Sequence, residues 1–282
     1  MCGIAGIIDH RSHCNDTEIL NAMCGAMRHR GPDGYGCFTA PGVFLGHRRL
    51  AVIDLTSGDQ PLYSEDRSIV LVINGEIYNF QMLRKELENK GHAFATASDS
   101  EVLIHLYEEE GEHFVERLEG MFAFALWDSR KRVLLLGRDR MGKKPLYYFL
   151  HKGALVFGSE LAVLKYHPDF PCTIDPDALA DYFSLLYVPQ PYTVFKNVYA
   201  LPAACCMRFE PDREKADIFP YWTLDFSEKN NSASPEELAE ELRRLVTEAV
   251  RKRLIADVPT GVFLSGGIDS NIVTSAEEPG RL

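Results

Sequence analysis

The sequence predicts an α+β fold built from layered, largely antiparallel sheets. Three observations carry that prediction. Short runs rich in Val, Ile, Leu and Phe, bounded by Gly, Pro or Asp, recur through residues 2–210. Helical patterns between them are few, so hairpin connections dominate over strand–helix–strand crossovers. The composition, 46% hydrophobic and 25% charged, is that of a chain with a substantial core.

The strand-like runs are CGIAGII (2–8), VFLGHRRLAVID (43–54), SIVLVIN (68–74), GMFAFALWD (120–128), RVLLLGRD (132–139), PLYYFL (145–150) and ALVFGS (154–159). A further run, CCMRF (205–209), sets Cys205 and Cys206 on alternate sides of a strand, where they read as small buried hydrophobes. The spacing predicts a helix over 79–90, where Phe80, Leu83 and Leu87 share a face and Gly91 supplies the stop. Two more helices are expected over 100–110 and 175–185.

Near residue 225 the texture changes to the polar, breaker-rich stretch DFSEKNNSASP. The domain reading is therefore 1–210, a linker over 211–234, and a second unit over 235–282. That unit opens with a helix: Ser234 as N-cap, Pro235 in the first turn, Glu237 closing a capping box, and Leu238, Leu242, Leu245, Ala249 and Val250 along one face. VPTGVFLSGGIDSNIVTSA then reads as a buried-type strand, a glycine turn and a helix that Pro279 and Gly280 cut short. No internal repeat or low-complexity tract is present.

With 30 Lys+Arg against 41 Asp+Glu the formal charge is -11, the wrong sign for nucleic acid or anionic lipid. No apolar run is long enough for a membrane span, and no basic segment followed by an apolar one opens the chain, so the reading is cytoplasmic. The seven cysteines form neither a CxxC pair nor a Cys/His metal pattern, which argues against a disulfide framework or a cysteine zinc site.

Cys2 has two readings. Taken alone it is core filling, the commoner fate of a free cysteine. If Met1 is removed, however, one residue carries a thiol nucleophile and an α-amine whose pKa of about 7.7–8.0 makes it a usable base near neutrality. RHRGPDG (28–34), GHRRLAVIDL (46–55), QPLY (60–63), NGEIYN (74–79) and SDSE (98–101) follow it in order.

On these motifs the chain resembles the class II glutamine amidotransferases from Cys2 to about residue 210. RHRGPDG and NGEIYN place it near the glutamine-dependent asparagine synthetase family. The resemblance implies an N-terminal-nucleophile hydrolase fold, an αββα sandwich of antiparallel sheets. It implies that Cys2 attacks the side-chain amide of L-glutamine, and that the Asn74 side chain and the Gly75 N–H form an oxyanion hole. Arg49 would hold the α-carboxylate, and Asp99 with Glu76 nearby the α-ammonium. Each has a plain alternative: Asn74–Gly75 as a two-residue hairpin turn, and the charges as solvated surface. His29 and His47 read as structural rather than as bases. RHRGPDG reads as a loop able to close over substrate. No metal or cofactor is expected in this half.

SGGIDS (265–270) after VFL resembles the PP-loop of ATP pyrophosphatases. Leu264, Ser265, Gly266, Gly267, Ile268, Asp269 and Ser270 would then cradle the phosphates of ATP at a helix N-terminus, with Asp269 near Mg2+. The plain reading of Asp269 is a favourable charge on the first helical turn. The resemblance departs at Asn271, where the family has a small hydroxyl residue, and at LPAACC, which lacks a family glycine. One strand and two helices do not make a two-sided parallel sheet. From about residue 235 the chain is therefore expected to dock on the first domain or to be loosely ordered, with ATP and Mg2+ tied to the synthetase half and aspartate to a full-length form. Two further readings stay open: a class II amidotransferase feeding ammonia to another acceptor, and a catalytically silent module binding glutamine or a partner. A homodimer is compatible with each.

Overall fold

The computed structural model describes residues 1–9, 16–227, 229 and 232–276. They form two compact units, one of residues 1–51 and 56–223, the other of residues 52–55 and 224 onward. Cys14, Pro279 and Gly280 lie outside the described residues.

In chain order the first unit carries β1 (Gly3–Ile8), α1 (Asp16–Ala26), β2 (Gly34–Ala40), β3 (Val43–Arg49), β4 (Leu62–Tyr63), β5 (Ile69–Ile77), α2 (Phe80–Asn89) and α3 (Val102–Glu110). These are followed by β6 (Gly120–Asp128), β7 (Val133–Arg138), β8 (Tyr147–His151), β9 (Ala154–Gly158), α4 (Leu161–Leu164), α5 (Pro176–Leu185), β10 (Tyr199–Ala200), β11 (Cys205–Glu210) and β12 (Lys215–Pro220). Two six-stranded sheets result, ordered β10-β8-β9-β1-β3-β2 and β12-β11-β7-β6-β5-β4. Every named strand pair is antiparallel.

The period of two along each strand explains the layers. On β1, Ile4 and Ile8 point into a core with Val70 and Val72 of β5, Ala123, Ala125 and Trp127 of β6, and Met207 and Phe209 of β11. Ala5 and Ile7 point the other way, onto Leu20, Met23 and Cys24 of α1 and Val163 and Leu164 of α4. Gly6 sits where a Cβ would lie 2.3 Å from the Phe157 ring, so the aromatic fills the space a side chain would take. On the second sheet α2 and α3 cover the opposite face, burying Leu83, Leu87, Leu103 and Leu106. The first unit is thus helix, sheet, sheet, helix, as expected.

Several boundaries differ from the sequence reading. The run 43–54 stays in the sheet only to Arg49, the last residue with a β2 partner. Asn74–Gly75 is no turn: β5 runs straight through it, paired with Ala123 and Phe122. Lys215–Pro220, assigned to the linker over 211–234, forms β12, because each residue finds a register partner on β11 and leaves no free edge there. α1 is an addition to the sequence reading; Leu20, Met23 and Cys24 form its buried face.

In the second unit Ser234 caps α6 (Pro235–Arg253), and the capping box with Glu237 is complete in both directions. Leu238, Leu242 and Leu245 are exposed along it. α7 (Ile268–Ser275) follows the glycine turn. The buried-type strand expected in VFL is absent: residues 262–264 take no strand conformation, and Phe263 is 100% exposed. A parallel strand needs hydrogen-bonding neighbours, and the described residues of this unit supply none. No helix among the described residues is long and apolar enough to cross a membrane.

Candidate active site around Cys2

Cys2 sits just ahead of β1, where Gly3 pairs with Arg48 of β3. The Leu50 N–H donates to Cys2 Sγ at 3.3 Å and the thiol faces the Leu50 carbonyl at 3.6 Å. The RHRGPDG loop braces this point. Arg30 Nε donates to the Cys2 carbonyl at 2.9 Å, while its Nη1 and His29 Nε2 both reach Glu160 at 2.9 Å. Asp33 N–H donates to the Arg49 carbonyl and Asp33 Oδ2 accepts from Ala51 N–H, each at 3.0 Å. A Cβ on Gly31 would lie 2.4 Å from the Arg48 backbone, so only glycine permits this approach.

The electrostatics around the sulfur are opposed. Burial pushes the Cys2 thiol up, while the Leu50 N–H, the amino terminus, Lys144 and Arg49 pull it back. Burial also holds the amino terminus below its usual 8.0, toward the neutral form. That amine belongs to Met1 in the full chain; with Met1 removed it would belong to Cys2 itself.

The second sheet brings its own contribution through β5. Ser129 N–H reaches the Ser68 carbonyl and Tyr78 N–H the Glu119 carbonyl, so the backbone groups of even-numbered β5 residues face β6. Those of odd-numbered residues face the other edge, where β4 covers only the opening of the strand. Along that edge Ile73 N–H donates to Gln60 Oε1 at 2.6 Å and Ile77 N–H to Asp99 Oδ2 at 2.7 Å. By the same period the Gly75 N–H points out between them. Next to it, the Asn74 side chain is 1% exposed and neither its Oδ1 nor its Nδ2 has a hydrogen-bond partner. A buried, unsatisfied amide costs roughly 1–3 kcal/mol, which marks a polar group kept for something other than stability. Gly75 has a packing reason as well: a Cβ there would lie 2.5 Å from the Met121 carbonyl and 2.7 Å from Phe122 Cα.

Two carboxyls lie alongside. Burial pushes Asp99 up to about 6, with the Ile77 N–H opposing and Glu76 adding to the rise. Burial likewise raises Glu76, opposed by Lys144 and the amino terminus. Lys144 is buried and its ammonium is held below the usual lysine value by that burial, with Glu76 and Cys2 opposing. The charge couplings of Lys144 with both Cys2 and Glu76 join the ends of β1 and β5 into one electrostatic neighbourhood. The β7–β8 turn builds the position: Asp139 accepts N–H groups from Met141, Lys143 and Lys144, and Arg138 Nε donates to the Lys144 carbonyl at 2.8 Å.

Arg49 is buried and already paired, its Nη1 donating to Asp59 Oδ1 at 2.9 Å; Asp59 is 79% exposed. His47 is fully enclosed, its Nε2 against the Ile73 carbonyl at 3.1 Å, and burial lowers it to about 3. It ties β3 to β5. Cys2, Arg49, Glu76 and Asp99 are thus linked by a chain of charge couplings, and Asn74 and Gly75 directly precede Glu76 on β5. Lys144, the Leu50 backbone and the Arg138–Asp139 hub escaped sequence reading. A lysine between Gly142 and an aromatic strand carries no local signal of burial.

In the second unit, Gly266 takes φ +80 and Gly267 caps α7. Ser265 Oγ meets Ser270 Oγ at 3.0 Å, and Ser270 Oγ donates to the Gly267 carbonyl. Leu264, Ile268 and Asp269 are exposed. The turn lies at a helix N-terminus, where backbone N–H groups suit an anion, and among its described residues Asp269 is the one carboxylate.

The αββα sandwich is a fold shared with solved structures. The glutamine phosphoribosylpyrophosphate amidotransferase of B. subtilis superposes with TM-score 0.58 at 18% identity, covering 97% of this chain and 63% of that one. The allosteric regulatory enzyme of purine biosynthesis gives 0.60 at 17% identity with the same coverage. Residues 1–222 match the Glutamine amidotransferase domain family, and the chain belongs to it. Residues 241–278 match the Asparagine synthase family. Asparagine synthetase [glutamine-hydrolyzing] 3 of Bacillus subtilis (strain 168) is 37% identical over 280 residues, 98% of this chain and 45% of the relative. Asparagine synthetase [glutamine-hydrolyzing] 2 of Arabidopsis thaliana is 38% identical over 279 residues, 98% and 42%. The chain spans less than half the length of these two relatives.

Proposed function

We propose that the first unit hydrolyses L-glutamine to glutamate and ammonia, and that the ammonia serves glutamine-dependent asparagine synthesis when the rest of a synthetase is present. The unpartnered, buried Asn74 amide beside an outward-facing Gly75 N–H is the observation that carries this reading. Once Met1 is removed, the Cys2 amine takes the thiol proton and the thiolate attacks the glutamine Cδ. Charge moves onto the amide oxygen, where Asn74 Nδ2 and the Gly75 N–H receive it. The C–N bond breaks as the ammonium returns its proton to the leaving nitrogen, releasing ammonia. Water then hydrolyses the thioester, giving glutamate and the free thiol.

Substrate orientation follows from charge. The α-carboxylate would take the place of exposed Asp59 on Arg49, and the α-ammonium would sit at Asp99 and Glu76. The Asparagine synthase match supports ATP as a further ligand, with the 265–270 turn holding its phosphates and Asp269 offering Mg2+ a ligand. Aspartate would be the ammonia acceptor in the full-length form.

Intact mass after exposure to an electrophilic glutamine analogue tests the reading, because it reports Met1 removal and labelling together. Loss of methionine with one label, absent in Cys2→Ala, is expected. A retained methionine with unhindered ammonia release, or labelling elsewhere, would refute it.

A further inference from the structure

We propose that His92, His105 and Glu108 form a site for one divalent transition-metal cation of the zinc class on the α2/α3 layer of the first unit. This inference is independent of the glutamine reading. His105 and Glu108 stand three residues apart on one face of α3, a spacing that lets both side chains meet a single ion. His92 comes from the segment just after α2. One donor atom from each of the three lies within 4.8 Å of the others.

The orientation of the rings carries the argument. His105 Nδ1 lies 3.0 Å from Glu108 Oε2, and His92 Nδ1 lies 3.6 Å from the same oxygen. Their opposite nitrogens each face a different carboxylate: His92 Nε2 meets Glu109 Oε1 at 3.0 Å, and His105 Nε2 faces Glu101 Oε1 at 3.7 Å. At His92 this is the outer-carboxylate, imidazole, metal sequence that fixes the tautomer of a ligating histidine; at His105 the 3.7 Å contact is a charge contact only. A neutral His92 whose Nε2–H donates to Glu109 turns the Nδ1 lone pair toward the Glu108 oxygen, and two lone pairs repel. A cation at the point where both Nδ1 atoms converge removes that conflict.

His105 is 2% exposed, and its Nε2 is buried without a hydrogen-bond partner, so the ring is held in place by packing against Phe94 rather than by that nitrogen. Tetrahedral zinc with bonds of about 2.0–2.1 Å places its ligands about 3.4 Å apart. Glu108 Oε2 already lies 3.0 and 3.6 Å from the two Nδ1 atoms, so the required contraction is an approach of the His92 ring to the buried His105 ring. Lys90 Nζ, 3.0 Å from Glu109, balances part of the surrounding acid charge. Three protein ligands leave one coordination position open.

The test uses the full chain in a Cys2→Ala background, so that the nucleophile contributes no thiolate. After chelator treatment the protein is titrated with Zn2+ by calorimetry and with Co2+ by visible absorption. One equivalent binding with Kd below about 100 µM is expected, with four-coordinate Co2+ bands. The unfolding temperature should rise on the order of 5 °C at a hundredfold excess of Zn2+ over Kd. His92→Ala with Glu108→Ala, both on accessible positions, should abolish the bands and the shift, and Glu109→Gln should weaken binding about tenfold. Binding weaker than about 100 µM, or binding unchanged in the double variant, would overturn the proposal.

Discussion

Replacing Asn74 by alanine separates a functional amide from a structural one. The side chain is enclosed, and both of its polar atoms lack partners. Each such group costs roughly 1–3 kcal/mol when buried, whereas the apolar part of the side chain that alanine loses is worth about 1 kcal/mol. Asn74→Ala should therefore be at least as stable as the parent, with an unfolding temperature unchanged or a few degrees higher. Removing one preorganised donor from an oxyanion site costs on the order of 10²–10³ in kcat, or about 3–4 kcal/mol of transition-state stabilisation. The assay is steady-state ammonia release from L-glutamine by chain lacking Met1, beside a urea melt of the same preparation. Expected is a large fall in kcat, a modest change in KM and no loss of stability. A destabilised variant that keeps its kcat within about threefold would refute the reasoning, because it would make Asn74 a packing residue.

Gly75→Ala drives a Cβ to 2.5 Å from the Met121 carbonyl, so the β5–β6 pair must shift; a loss of about 1–3 kcal/mol in urea unfolding is expected, and unchanged stability would show that the strands yield freely. Asp99 titrates near 6 in the folded protein against an ordinary 3.8, so between those values the folded state keeps a proton that the unfolded chain has released. Its contribution is greatest below about pH 4 and is lost as pH rises through 6, by on the order of 3 kcal/mol. Asp99→Asn should gain stability relative to the parent between pH 4.5 and 7, and a pH-independent difference would contradict this. Lys144→Met removes a charge that draws the Cys2 thiol pKa down; alkylation of Cys2 by iodoacetamide at pH 8 should slow and Lys144→Arg should restore it, while equal rates in all three would exclude the coupling.

Strands β1, β3, β5 to β9 and β11 and the α6 capping box were legible from local order, as was the presence of a thiol behind Met1. Period-two patterning, cap residues and a thiol behind Met1 act within a few residues of themselves, so a linear reading captures them. The same reading stopped short wherever a partner came from far along the chain. β12 is a strand because β11 lies beside it, and VFL is not one because nothing does. Asn74–Gly75 would suit a hairpin turn in isolation, but pairing with β6 holds it straight and turns the Gly75 N–H to an open edge. Lys144 becomes a partner of Cys2 only across a separation of 142 positions in the chain, and His92 meets His105 only when α2 and α3 pack together. Side-chain identity sets what a residue can do; the three-dimensional pairing of distant strands sets burial, and burial sets which charges are shifted and which amides go unpaired.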